Sequence, residues 1–344
     1  MPLIHDIKFN EGFNYGLTLT HATETEINSS WEELTDTARL VVPRKVRYVK
    51  DGQVITSLVA QGTEAQPDDP YLRRGDRVTF SLGYGSQVAQ RFAGYVSNIA
   101  PRNPLAFEFQ DEMYLQKQVT IQALEFVNET LETILFELWQ AGHFTGPQPI
   151  ATIDMTIGRL RITRVTPAEL LQFLRQKYGL ISYYRGSQLY VGVAYRLKDL
   201  DLVARHEINL EMDTPLGSRN SLTYQREDDQ RIKVRAISIY PDNTTQEYIA
   251  GDSDGGERTL YFYDVSQAAL KTLAEENLAK LKYTGWIGGI ETFLNPHIQH
   301  GDAVKLTSDQ VPDANGDYLV KRVITHTSVK GGGRQVIELD TKIT

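Results

Sequence analysis

The sequence predicts a β-rich α+β protein in which two related antiparallel β-barrels flank a small α/β domain of βαββ form. Three observations carry this. Both ends of the chain read as short alternating strands separated by turns, the stretch between them holds two capped helices, and a Gly-Asp-x-Val pattern occurs once in each β-rich end.

The first unit spans residues 1–112, with 201–230 available to complete it. Asp51-Gly52 between Val46–Val49 and Val54–Ile55 is a hairpin signal. Arg77-Val78-Thr79-Phe80-Ser81-Leu82 alternates polar and apolar residues, and Gly83-Tyr84-Gly85-Ser86 then turns the chain toward Phe92-Ala93-Gly94-Tyr95-Val96.

The middle domain spans 113–200. Leu131, Ile134, Leu135 and Leu138 recur at helical spacing after Asn128-Glu129-Thr130, and the pattern stops at Gly142. A second helix opens at Thr166-Pro167-Ala168-Glu169, where Thr166 caps, Pro167 suits the first position and Glu169 completes a capping box; it ends at Gly179. Strands are expected at Leu160–Arg164, Leu180–Tyr184 and Gln188–Val193, the last two joined by Arg185-Gly186-Ser187.

The second barrel is expected over 231–344, interrupted by a helix at about 266–282 whose Leu270, Leu273, Ala274, Leu278 and Leu281 form a buried stripe. It carries the repeat. Arg74-Gly75-Asp76-Arg77-Val78 precedes Gly94-Tyr95-Val96, and His300-Gly301-Asp302-Ala303-Val304 precedes Gly316-Asp317-Tyr318-Leu319-Val320. Glycine tolerates the tight turn and aspartate accepts backbone N–H groups before the strand.

The 344 residues carry 41% hydrophobic and 23% charged side chains, the profile of a folded chain of two or three units. There is no cysteine, hence no disulfide framework or thiolate metal site. A net charge of −8 disfavours a dedicated nucleic-acid binder. Within Arg219–Arg235, Arg226, Arg231, Lys233 and Arg235 alternate with Glu227, Asp228 and Asp229, which reads as a solvated strand face. Asp6, Lys8 and Glu11 stand where a secretory signal needs apolar residues, and no segment approaches ~18 apolar residues in a row. A cytoplasmic chain is the expectation.

Catalytic patterns are absent or out of context. Gly251-Asp252-Ser253-Asp254-Gly255 matches a nucleophile elbow, but Arg258–Tyr263 beyond it reads as a strand and two aspartates flank Ser253, so an acidic hairpin loop is expected. His297, His300 and Asp302 form the most suggestive metal cluster, although no helix aligns the imidazoles. Asp313, Asn315 and Asp317 begin like a calcium loop, yet Ile324 occupies the twelfth position. Glu32-Glu33 and Glu275-Glu276 have nothing to mark them as acid and base, Arg74-Gly75-Asp76 is explained as a turn, and Lys330–Arg334 reads as a loop between the last strands. The expectation is no enzyme, no cofactor and no metal.

Several passages resemble the central baseplate hub proteins of contractile-tailed phages, the late control protein D type. They are Ser29-Ser30 with Leu34-Thr35-Asp36-Thr37-Ala38 and Pro43, Gly75-Asp76-x-Val78 through Phe92–Val96, and Phe109-Gln110-Asp111 with Tyr114-Leu115. Gly301-Asp302-x-Val304, Gly316-Asp317-Tyr318-x-Val320, His326 and Arg334-Gln335-Val336-Ile337 match as well. The resemblance implies a homotrimer whose six barrels form a ring, a symmetry adaptor between a sixfold tail tube or tube initiator and a threefold central spike. Baseplate wedge and tape measure proteins are the further implied partners, in a virion tail assembled in the host cytoplasm without membrane insertion. Acidic lumen residues would let DNA pass without specific binding. The chain ends soon after the second barrel, so wall-cutting activity is expected in another protein. The alternatives are the hub of a non-contractile tail or of a phage-like injection or secretion machine, and a carbohydrate-binding or hydrolytic β protein built on Trp31, Trp139 and Trp286.

Overall fold

The computed structural model describes residues 2–10, 17–43, 48–50, 53–55, 72–100, 103–192, 204–214 and 221–343. The N-terminal strands are β1 (Leu3–Phe9), β2 (Leu17–Leu19), β3 (Glu24–Ser30), β4 (Thr37–Val42), β5 (Tyr48–Lys50), β6 (Gln53–Ile55), β7 (Arg77–Tyr84), β8 (Gln87–Ala100) and β9 (Leu105–Gln110). Their inward residues alternate as a one-sided sheet requires, gathering Phe9, Phe80, Phe92, Phe107 and Phe109 into one aromatic core. The Phe80 and Phe109 rings meet edge to face at 5.1 Å. β5 and β6 pair antiparallel, while the Asp51-Gly52 turn lies outside the described residues. The β7–β8 turn is tighter than expected, only Gly85-Ser86, because Gly83 and Tyr84 stay in the ladder opposite Val88 and Gln87.

The middle region holds α1 (Met113–Gln116), β10 (Ile121–Thr130), α2 (Leu131–Ala141), β11 (Ile150–Ala151), β12 (Thr156–Val165), α3 (Pro167–Tyr178), β13 (Ile181–Arg185) and β14 (Gln188–Gly192). Both expected helices form, α3 with its capping box and with Gly179 in the left-handed conformation. The single βαββ sheet does not. β12 pairs antiparallel with β10, a strand the sequence did not announce, while β13 and β14 form a separate sheet with β11. Phe126, Leu160 and Ile162 from the β10–β12 ribbon share a core with Leu131, Leu135, Leu170 and Leu174 of the helices.

The remaining elements are β15 (Arg205–Asn209), β16 (Thr223–Gln225), β17 (Ile232–Ile239), β18 (Thr245–Gly251), β19 (Gly256–Tyr263), α4 (Gln267–Leu281), β20 (Gly285–Ile287), β21 (Gly289–Phe293), β22 (Ala303–Thr307), β23 (Gly316–Ser328) and β24 (Gly332–Lys342). Two expectations change here. The described strands within 201–230 do not complete the first unit: β15 runs parallel to β22 and β16 pairs with β20, both in the C-terminal half. Nor is α4 an insertion into a barrel. It covers the separate sheet β18-β17-β19 and shares a core with Val234, Ala236 and Ala250.

Among the described residues no sheet closes on itself. The two β-rich ends instead join in one twelve-stranded sheet, because β23 pairs with β3 from Arg322↔Ser30 to Ser328↔Glu24. Each end keeps its own core, one around the five phenylalanines and one around Ile208, Val304, Leu306, Tyr318, Val320 and Ile337.

Candidate functional site

The Gly-Asp repeat is reproduced bond for bond. At the N-terminal corner, Arg73 N donates to Asp76 Oδ2 at 2.7 Å, Asp76 N to Arg73 O at 3.2 Å, Gly75 N to Val96 O at 2.8 Å and Val96 N to Asp76 O at 2.9 Å. At the C-terminal corner, Gln299 N donates to Asp302 Oδ2 at 2.9 Å, Asp302 N to Gln299 O at 3.1 Å, Gly301 N to Val320 O at 2.7 Å and Val320 N to Asp302 O at 2.9 Å. Gly75 and Gly301 sit at φ of +90° and +84°, a region costly for any residue with a Cβ. The long strand slips register beside each corner, after Val96 in β8 and on both sides of Val320 in β23. Val96 and Val320 are therefore equivalent, which places Gly94 opposite Tyr318 in the alignment. The Gly and Tyr of the two copies do not correspond, and only Gly-Asp-x-Val and the later valine do.

Both corners rest on the middle region. Beside the N-terminal corner, Arg77 Nη2 donates to Glu112 Oε1 at 2.9 Å, the Tyr95 hydroxyl donates to Glu112 Oε2, and Tyr95 stacks on Tyr114 of α1 with centroids 5.7 Å apart. The Arg74-Gly75-Asp76 tripeptide is this corner, its Arg74 donating to Ser97 O. At the C-terminal corner the carboxylate in contact is buried. Arg185 of β13 donates to Asp302 Oδ1 at 2.6 Å, His206 Nε2 lies 3.2 Å from Asp302 Oδ2, and the Tyr183 ring stands edge-on to His300 at 5.6 Å.

These contacts place His297, His300 and Asp302, the residues weighed as a metal cluster. Asp302 is committed to Arg185, His206 and a backbone N–H, and His300 packs against an aromatic ring; no group of three or more His, Asp or Glu suited to a metal occurs among the described residues. Burial, then Arg185, pushes His300 down to about 4. Burial and the neighbouring Arg91 do the same to His297, also to about 4. His206 and Arg185 are the partners that sequence spacing missed, since 96 and 117 positions separate them from Asp302.

A second network joins residues that carried the resemblance. Asp36 accepts from Ser29 Oγ at 2.5 Å and Ser30 N at 2.9 Å, Asp36 N donates to Asp111 Oδ2 at 3.0 Å, and Asp111 N donates to Asp36 O. Burial raises Asp36 to about 7, and burial with the Asp36 charge raises Asp111 well above the carboxylate range. Both line a cavity of about 80 Å³ together with Arg91, Tyr184, Gly186 and Gln299, so three parts of the chain meet there. Arg91 bridges the β-rich ends, donating to Gln335 Oε1 at 3.1 Å and to Leu294 O.

The other candidates take structural roles. Gly251–Gly255 is a turn, but not a hairpin: β17 lies between β18 and β19, and the turn crosses its end with Asp252 N donating to Ile232 O. Arg231, Lys233 and Arg235 pair with Asp254, Glu257 and Glu247 on a solvated strand face, whereas Arg219 lies outside the described residues. Asp313 and Asn315 belong to the β22–β23 turn, Asp317 pairs with Arg205, and residues 329–331 link β23 to β24. Glu33 pairs with Arg322 and Glu275 with Lys271. The tryptophans sit on separate elements, Trp31 between β3 and β4, Trp139 on α2 against Phe144, and Trp286 on β20 against Tyr224. No helix among the described residues is long and apolar enough to cross a membrane.

No protein-family model matches the sequence, and no curated protein matches it. Solved structures do. A 43 kDa tail protein of prophage MuSo2 from Shewanella oneidensis superposes with a TM-score of 0.60 at 14% identity, over 99% of this chain and 98% of its own. The chain has the fold of phage tail proteins. A tail protein from Neisseria meningitidis gives a TM-score of 0.58 at 14% identity, covering 98% of this chain and 96% of its own. A type VI secretion system component from E. coli, itself described as similar to the T4 tail proteins gp27 and gp5, gives 0.56 at 11% identity, over 97% of this chain and 76% of its own.

Proposed function

We propose that the protein is a structural hub of a phage tail baseplate, a trimeric ring that adapts a sixfold tail tube to a threefold central spike. The observation that carries this reading is the duplicated corner, with the same four backbone and carboxylate bonds and a register slip beside the corner valine in each half. A chain that presents one local geometry twice gives three copies six similar surfaces. The tail-protein fold over nearly the whole chain supports it. On this reading the work is recognition through repeated interfaces with no covalent step, and wedge, tube-initiator and tape measure proteins are the neighbours. A net charge of −8 suits a channel that DNA crosses without adhering. The likeness to a secretion component keeps the hub of a phage-like injection machine as the second reading.

The test is the native mass of the purified protein, alone and mixed with the tail's spike protein. A trimer, formed alone or on the spike, is expected. A protein that stays monomeric in both conditions would sink the proposal.

A further inference from the structure

The β10–β12 ribbon buries one face in the middle core and leaves the other open. Arg159, Arg161 and Thr163 alternate outward along β12, with Arg164 exposed beyond them. Arg159 is held by Glu125 at 2.6 Å and Arg161 also acts on that carboxylate through its charge, whereas Arg164 makes no ion pair among the described residues. Opposite Arg159 in the register, Val127 is 57% exposed, an apolar side chain beside the cations.

An acidic counterpart occurs elsewhere on the chain. The short turn Glu227–Asp229 exposes three consecutive carboxylates, none in an ion pair among the described residues. Of the flanking cations, Arg231 is bound to Asp254 at 2.5 Å, which leaves Arg226 beside the three. Arg159, Arg161 and Arg164 against Glu125 and Glu129 leave the ribbon one positive charge in excess, and the turn carries an excess of two negative charges. The Gly158 end of the ribbon and the turn lie at opposite ends of β17. Gly158 of the ribbon lies against Pro241 O past the far end of β17, while Gln230 is tied to Tyr283 O at its near end. The eight residues of β17 hold those points roughly 25 Å apart, about three Debye lengths at physiological salt.

We infer that the ribbon of one copy docks on the Glu227–Asp229 turn of the next. Two unlike, complementary patches on one chain make a head-to-tail contact, the kind that closes identical subunits into a ring. The inference rests on the ring reading above and names a contact within it.

Sedimentation of the full-length chain, alone and with the spike protein, tests the contact in four forms: wild type, Arg161→Glu with Arg164→Glu, Asp228→Arg with Asp229→Arg, and all four changes together. All sites are exposed, and circular dichroism checks that each form folds. Each pair of reversals should weaken assembly at least about tenfold, and the quadruple form should recover most of it. Loss from both single-side forms with recovery in the quadruple form supports the contact. Rings indifferent to either reversal, or no recovery in the quadruple form, overturn this contact and leave the hub reading standing. A ribbon reversal that alters only retention on DNA also overturns it. A wild type that never assembles, even with the spike, overturns both.

Discussion

Replacing Asp302 by alanine and, separately, Asp76 by alanine compares one corner in two environments. Asp302 is 2% exposed and holds Arg185, His206 and the Gln299 N–H. Removing one member of a buried charged pair costs about 3–5 kcal/mol, but the Arg185 side chain is 32% exposed, so water recovers part of this and about 3 kcal/mol is expected. Asp76 is half-buried and accepts chiefly from Arg73 N, for which about 1 kcal/mol is appropriate. Amide hydrogen exchange reads both effects locally, because Gly75 and Val96 report one corner and Gly301 and Val320 the other. Exchange should rise roughly 150-fold at the C-terminal corner of Asp302→Ala, and roughly fivefold at the N-terminal corner of Asp76→Ala. Equal increases would refute the claim that the buried joint with β13, rather than the turn itself, stabilises the C-terminal corner.

Titration should show opposing slopes. His297 and His300 are held near 4 when folded, below their free value of 6.5, so stability is full above about 6.5 and falls as pH drops toward 4; His300→Gln should flatten that limb of a melting-temperature profile. Asp36 is held near 7, above its free value of 3.8, so its burial weakens the fold as pH rises from about 4 to 7, against the histidine trend over the same interval, and Asp36→Asn should make the net slope of stability with pH more positive. Gly94→Ala would set a Cβ 2.1 Å from Gln110 O and should cost about 3 kcal/mol in urea unfolding, whereas Gly256→Ala meets nothing within 4 Å and should be neutral. Thr166→Ala, which removes the α3 cap, should cost about 1 kcal/mol by the same measurement.

How much of this was legible in the sequence depended on the range of the interaction. The ends of α2, α3 and α4 are set by local capping at Thr130, Thr166, Ser266 and Gly179, so sequence located them closely. The corners were legible because glycine and aspartate act within four residues. Strand partners were not. Nothing local says that β12 chooses β10, that β15 joins β22, or that β23 reaches β3. The β10 strand was missed because Gln122, Ala123, Glu125 and Val127 face solvent and leave only Ile121 and Phe126 fully buried, too sparse a pattern to register. Asp36 and Asp111 were visible as matching residues, but only the fold makes them partners across 75 positions.

The pairing of β23 with β3 has a consequence in time. About 290 residues separate Arg322 from its partner Ser30, and at roughly 5–20 residues per second a ribosome needs about 15–60 s to deliver them. Throughout that interval one edge of β3 has no native neighbour, and edges of that kind recruit strands from other chains. Glu24 and Glu26 stand on it as charged deterrents during the wait. The C-terminal hairpin then acts as a late clasp, so a nascent chain stalled before residue 322 would hold a sheet with a sticky margin.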